Sequence, residues 1–199
     1  FWTALSYRSA EIVYDPSEVS VEELQEPQVL AEPRFKGKLC LARPEDSISL
    51  AVIAHWIEDL GMRDTELLVR GWVSNLAVPA FATEAEVLDA IAARHCAVGL
   101  VSMDTYAAVA TMQDVSYRSI RPVTLHADVE AIGIARHARN PDGARALIEW
   151  LLSDRAERPL LADVLAHAAA TKVQDPDKVS IVAMNREDAV KLAERARYQ

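Results

Sequence analysis

The alternation of short apolar runs with stretches of helical periodicity limits what this chain can fold into more than any other feature. Apolar runs predict strands, and apolar residues spaced three and four apart predict helices. The predicted strands cover residues 10–14, 38–42, 77–81, 97–101 and 129–135. The predicted helices cover 48–60, 64–75, a segment after the Thr83–Glu86 capping box, 140–152, 155–167 and 186–197. This order indicates an α/β fold with a mostly parallel sheet flanked by helices.

Composition narrows the classes of function. The chain has 199 residues, of which 51% are hydrophobic, so it has enough apolar material for a core. Its net charge of −9 argues against a nucleic-acid partner, because phosphate contacts need clustered Lys and Arg. No apolar run approaches the roughly 18 residues of a membrane span. The chain begins without Met and without the basic region of a signal peptide.

The motifs of common enzyme classes are absent from the sequence. There is no GxGxxG, no P-loop and no GxSxG nucleophile motif. The five histidines are scattered and are interpreted as surface or structural residues: His55, His95, His126, His137 and His167. Cys40 and Cys96 lie in apolar runs, which favours buried free thiols. We therefore expect a protein that is not an enzyme.

Six segments, taken in chain order, resemble the ferric-iron class of ABC-importer solute-binding proteins. Residues 2–19 (WTALSYRSAEIVYDPSEV) resemble that family's hinge segment, and 32–41 (EPRFKGKLCL) resemble its step into the second lobe. Residues 70–77 (RGWVSNLA) and 89–101 (DAIAARHCAVGLV) are similar to two further family segments. Residues 134–140 resemble the returning first-lobe segment, and 184–198 resemble the C-terminal helix.

The resemblance implies a type II periplasmic-binding-protein fold, in which two α/β lobes flank a cleft. Under this interpretation residues 1–14 are the hinge segment between lobes and 15–122 form the second lobe. Residues 123–199 are the returning first-lobe segment with the C-terminal helices. The resemblance implies that the chain lacks the N-terminal part of the first lobe, and self-association through the incomplete lobe is expected.

The family's iron-binding tyrosines are largely missing here. Iron(III) favours anionic oxygen donors, and the family supplies them as tyrosinates. An adjacent Tyr-Tyr pair normally follows the strand at 97–101, but this sequence reads Asp104-Thr105 or, with a two-residue slip, Tyr106-Ala107. The third tyrosine, expected after residues 38–41, is also absent. Tyr106 and Asp104 are therefore the candidate metal ligands, for Fe(III) with a synergistic anion.

Polar residues at the predicted strand ends are the remaining candidates for ligand binding. The resemblance places Ser47, Asn75, Ser102 and Thr105 there, beside Asp104 and Tyr106, and Arg8 in the hinge turn. Neutral donors at helix N-termini suit carboxylate or phosphate groups, so a small anion is an alternative ligand to iron.

The resemblance implies a periplasmic or extracytoplasmic solute-binding component of an ABC importer, working with a membrane permease. Its ligand would be a small molecule or an ion, bound in the cleft, and closure about the hinge would signal the bound state. The alternative is a ligand-sensing domain of a regulator or receptor on the same fold.

Overall fold

The computed structural model describes residues 2–110, 115–124, 126–153 and 186–199. These residues fall into two compact units. The smaller unit holds residues 2–8 and 128–153, and the larger unit holds the described residues of 9–127 together with 186–199. The larger unit thus includes the C-terminal residues 186–199. The division into a hinge (1–14), a second lobe (15–122) and a returning first-lobe segment with C-terminal helices (123–199) stays a prediction.

The sheet contains five strands, β1 (Trp2–Tyr14), β2 (Leu39–Cys40), β3 (Val98–Ser102), β4 (Arg118–Ile120) and β5 (Ala127–Gly133). Four of them follow the order β2-β3-β1-β4, and β5 pairs with β1. Strand β2 runs parallel to β3, but β1 runs antiparallel to both β3 and β4. The sheet is therefore mixed rather than mostly parallel. Apolar runs locate strands without giving their direction, so the sequence predicted the end of β1 at residues 10–14 but neither its start at Trp2 nor its orientation.

The helices follow the sequence prediction closely, because their ends carry local signals. Helix α1 (Ser49–Leu60) ends at Gly61, whose φ of 80° is in the left-handed region that glycine tolerates. The next helices are α2 (Met62–Asn75), α3 (Glu84–Ala92), α4 (Met103–Ala110), α5 (Pro141–Leu151) and α6 (Arg186–Arg195). Thr83 and Glu86 form the predicted capping box of α3, and the Asn140 side chain caps α5.

One predicted strand is absent from the structure. Residues 77–81 form no strand, and this region adds only the isolated bridge between Ala42 and Phe81. Short 3-10 turns, which were not predicted from the sequence, occur at Val21–Glu23, Pro27–Ala31, Pro33–Phe35 and Pro44–Asp46. The helix predicted over 155–167 lies outside the described residues. None of the described helices is long and apolar enough to cross a membrane.

The main core of the larger unit forms between α1, α2 and α6. The rings of Trp56 and Trp72 pack 4.7 Å apart, and both side chains are buried. Leu192 of α6 and the nearby Tyr198 are also buried in this core. The Tyr198 hydroxyl donates to the carbonyl of Ala42, at the end of the β2 segment. This packing explains why the C-terminal helix belongs to the larger unit.

Cys40 and Cys96 form a disulfide, so the prediction of free thiols was wrong. Cys40 lies in β2, and Cys96 lies just before β3; their Cα atoms are 5.9 Å apart. The parallel pairing of β2 with β3 brings the two residues together, although 56 positions separate them in sequence. Both cysteines are buried. Burial in an apolar run is common to free and bridged cysteines, so the sequence context did not distinguish them.

Candidate functional site

The polar end of strand β3 is organised around the carboxylate of Glu84. Ser102 is the last residue of β3, and its backbone N–H and hydroxyl donate to Glu84 Oε2 at 2.9 and 2.7 Å. The Thr105 hydroxyl donates to the same oxygen at 2.9 Å. The other oxygen, Oε1, accepts from the backbone N–H of Ile48 at 2.7 Å. One carboxylate therefore joins the starts of α1, α3 and α4.

Burial makes these hydrogen bonds necessary. Glu84 is only 6% exposed, and a carboxylate removed from water is stable only when its lone pairs are satisfied. The backbone N–H groups of Ile48 and Ser102 lie at the starts of α1 and α4, where the helix dipole also favours negative charge. The Ser102 hydroxyl in turn accepts from the Thr105 N–H at 3.3 Å, which caps α4.

The start of α1 adds further buried hydroxyl groups. Ser47 and Ser49 flank Ile48, and their side chains are 5% and 0% exposed. Burial raises the pKa of Tyr198, while the hydroxyls of Ser49 and Ser47 oppose that rise. The phenol of Tyr198 therefore stays protonated and serves as a structural donor. It is not available as an anionic ligand for a metal.

The candidate metal ligands Asp104 and Tyr106 lie on the first turn of α4. Both side chains are half-buried, and Asp104 complements the positive end of the helix dipole. The ring of Tyr106 packs at a tilt against Tyr117, with centroids 6.2 Å apart. Burial and the neighbouring Tyr106 raise the pKa of Tyr117. Tyr117 is buried and Tyr106 is half-buried, so Tyr106 is the more accessible phenol of the two. Among the described residues, no group of three or more His, Cys, Asp or Glu side chains is arranged to hold a metal ion.

Asn75 is hydrogen-bonded to backbone groups outside the Glu84 network, and Arg8 belongs to the smaller unit. Asn75 ends α2 and is 2% exposed, and its amide donates to the carbonyls of Leu30 and Glu32 at 2.8 and 2.7 Å. Its side chain therefore fixes the 3-10 turns before β2. Arg8 lies in the smaller unit with its side chain half-buried. Of the seven predicted binding residues, the structure groups Ser47, Ser102, Asp104, Thr105 and Tyr106 at one end of the larger unit.

Sequence reasoning did not identify Glu84, the residue on which this site depends. It follows the capping residue Thr83, and an acid in the first turn of a helix is usually explained by the helix dipole alone. The capping box itself was predicted and is present. No local signal distinguishes Glu84 from the exposed Glu86, because the partners of Glu84 come from residues 18 to 36 positions away.

A pair of histidines forms a second buried polar cluster in the larger unit. His126 is 1% exposed, and its Nδ1 lies 3.3 Å from Nδ1 of His55 on α1. Its Nε2 lies 3.8 Å from a carboxylate oxygen of Glu26. Burial, reinforced by His55, lowers the pKa of His126 to about 4. The carbonyl of His126 accepts from the Ala10 N–H of β1 at 2.9 Å, so this neutral histidine anchors the segment before β5.

Two curated relatives are similar to the chain over most of its length. The chain is 22% identical to Iron uptake protein A1 of Synechocystis sp. in an alignment of length 167 that covers 78% of the chain and 46% of that protein. It is 26% identical to Iron uptake protein A2 of the same organism in an alignment of length 171 that covers 79% of the chain and 49% of that protein. The chain thus spans about half the length of the curated relatives it matches. No protein-family model matches the chain.

Solved structures of ferric-binding proteins share the fold of the chain. FutA (IdiA) of Trichodesmium, in complex with iron and citrate ligands, matches with a TM-score of 0.79 and 23% identity, covering 100% of this chain and 70% of that one. The Bordetella ferric binding protein matches with a TM-score of 0.78 and 22% identity, covering 99% and 70%. These comparisons confirm the resemblance found in the sequence. The chain has the type II periplasmic-binding-protein fold of the ferric-ion-binding proteins.

Proposed function

We propose that this chain forms the solute-binding component, or a part of it, of an ABC importer of the ferric-iron type. The observation that carries the proposal is the match of the complete chain to ferric-binding proteins, at a TM-score of 0.79. The iron uptake relatives point to the same role. The partner is a membrane permease, and no enzymatic activity is expected. The alternative role is a ligand-sensing domain of a regulator or receptor on the same fold, and no contact among the described residues favours it.

An extracytoplasmic location fits the covalent chemistry of the chain. The disulfide between Cys40 and Cys96 joins two core segments of the larger unit. Structural disulfides persist in oxidising compartments such as the bacterial periplasm and are rare in the cytosol of mesophiles. This observation is independent of the sequence relatives and supports the location that the importer role requires.

The proposed solute is iron(III) carried together with a small carboxylate chelator. Tyr106 and Asp104 are the two anionic oxygen donors that the sequence offers in place of the family's tyrosines, and both lie on the first turn of α4. Because the ion needs more hard oxygen ligands than these two, the chelator would supply the remainder. The Trichodesmium protein was solved with iron and citrate, which shows that its fold accommodates such a pair.

A small anion without iron is the less favoured solute. Ser102 and Thr105, which were predicted to hold an anion, donate their hydrogen bonds to Glu84. The amide of Asn75 donates to two backbone carbonyls. A free anion would therefore meet the carboxylate of Glu84 instead of unoccupied donors.

Titration of the full-length protein with ferric citrate and with citrate alone tests the proposal. We expect ferric citrate to bind saturably and to produce a visible tyrosinate-to-iron absorption band. Tyr106→Phe should remove the band, and Tyr117→Phe, which deletes a neighbouring buried phenol, should leave it unchanged. If citrate binds saturably without iron and no band forms, the solute is the free anion and not the iron complex. Binding of neither ligand would refute the proposed solute.

A further inference from the structure

The carboxylate of Glu84 has the environment of a bound anion. All four groups that donate to it are neutral: the backbone N–H groups of Ile48 and Ser102 and the hydroxyls of Ser102 and Thr105. The donor distances lie between 2.7 and 2.9 Å, within the range of charge-assisted hydrogen bonds. The side chain reaches these donors from the first turn of α3 and is 94% buried, since its exposure is 6%.

This position is one where a free anion would otherwise be stabilised. The N–H of Ile48 lies at the start of the 12-residue helix α1, and Ser102 directly precedes α4. Helix starts present unpaired N–H groups and the positive end of the helix dipole, which together bind anions. Ser102 and Thr105 were predicted from the sequence to bind an anion, and their hydroxyl groups donate to the same atom, Glu84 Oε2.

We propose that Glu84 is a built-in anion: its carboxylate occupies the anion position formed by the starts of α1 and α4, and thereby excludes a free anion from it. The consequence for solute choice rests on the proposed function. With Glu84 in place, the end of β3 carries a fixed negative charge close to Thr105 and to its chain neighbours Asp104 and Tyr106. A solute with a cationic centre is then favoured, and a separate anion is not needed to hold the two helix starts.

Rescue of a truncated side chain by added anions tests this role. Glu84→Ala removes the carboxylate and leaves its donors unsatisfied, and we expect a melting temperature roughly 5 to 10 °C lower than that of the wild type. Sodium formate or acetate should then restore part of the loss saturably, by about 3 °C at about ten times the dissociation constant. The wild type should show no such response, since its anion position is filled.

Three controls separate this effect from general salt stabilisation. Sodium chloride at equal ionic strength should not rescue Glu84→Ala. Glu84→Gln removes the negative charge, so its melting temperature should be lower than that of the wild type. The glutamine side chain still fills the anion position, so formate should not raise that melting temperature. Glu86→Ala removes an exposed cap acid on the same helix and should also show no specific rescue. If Glu84→Ala does not fold, Glu84→Ser repeats the experiment with a hydroxyl in the vacated space.

The outcomes decide the proposal without reference to iron. If formate and acetate stabilise neither Glu84→Ala nor Glu84→Ser beyond chloride, Glu84 does not occupy an anion position and the proposal is overturned. Equal stabilisation of the wild type would also overturn it, because the anion would then bind elsewhere. No iron and no citrate is present in these measurements. A ferric citrate titration that shows no binding therefore does not affect the conclusion from the rescue experiment. If the rescue fails, the proposed solute is still tested by the ferric citrate titration.

Discussion

The disulfide between Cys40 and Cys96 allows a quantitative prediction about stability. It links β2 to the segment before β3 and closes a chain span of 56 residues. Closing a span of that length removes conformational entropy from the unfolded chain equivalent to about 4 kcal/mol at room temperature. For a chain of this size, about 2 to 4 °C in melting temperature corresponds to each kcal/mol. Reduction should therefore lower the melting temperature by roughly 8 to 16 °C.

The assay is thermal unfolding followed by tryptophan fluorescence. Trp56 and Trp72 are buried in the core of the unit that contains the disulfide, so their emission reports its unfolding. The midpoint should fall when dithiothreitol is added to the wild type, with thiol titration confirming reduction. A Cys40→Ala, Cys96→Ala variant should have a similarly low midpoint with or without dithiothreitol, which makes it the control for effects of the reductant itself.

Two results would contradict this reasoning. If fully reduced wild type keeps the oxidised midpoint, the bridge does not constrain the unfolded chain in the way the loop-entropy account requires. If the double alanine variant is far less stable than the reduced wild type, lost packing at the buried Cys40 side chain, and not the cross-link, accounts for the difference. The single variants Cys40→Ala and Cys96→Ala, measured under reducing conditions, would then locate the packing loss.

Two further predictions concern pH and close packing. Because the pKa of His126 is about 4 in the folded protein against an ordinary 6.5, the unfolded chain binds the proton more tightly. Stability is then fully present above about pH 6.5 and falls towards pH 4 by about 3 kcal/mol; urea midpoints across this range should fall less for His126→Asn. Gly99→Ala should destabilise by about 1 to 3 kcal/mol, because the added Cβ would lie 2.7 Å from Val87 Cγ1 and 2.9 Å from the Cys40 carbonyl oxygen. An unchanged Gly99→Ala urea midpoint would contradict that prediction.

The elements that the sequence predicted well are those whose information is local. Helix α3 was recognised from Thr83 and Glu86, and α5 from Asn140 followed by Pro141, because capping depends on residues within one turn. The direction of β1 and the disulfide between Cys40 and Cys96 depend instead on which strands pair with one another in the sheet. Strand pairing is determined by long-range packing, so it cannot be predicted from the residues within one strand.

The candidate site follows the same division between local and long-range information. Ser102, Asp104, Thr105 and Tyr106 were expected together because they follow one strand, and the structure places them on the end of β3 and the first turn of α4. Asn75 was grouped with them by its place in a similar segment, but its amide binds the carbonyls of Leu30 and Glu32. A polar side chain near a strand end is thus available for a ligand only when the backbone around it is already satisfied.

Glu84 changes the interpretation of the missing tyrosines. If the donors at the end of β3 were unoccupied, losing the family's phenols would favour a change of solute from a metal ion to an anion. The carboxylate of Glu84 accepts from Ile48, Ser102 and Thr105, so the same site already contains the negative charge that those donors can stabilise. A free anion beside it would be repelled, whereas the iron complex of a carboxylate chelator carries less net negative charge than the free chelator and would be repelled less. The absence of the tyrosines that the resemblance leads us to expect, together with the buried carboxylate of Glu84, is therefore compatible with the proposed solute, which would bring its own oxygen ligands to iron.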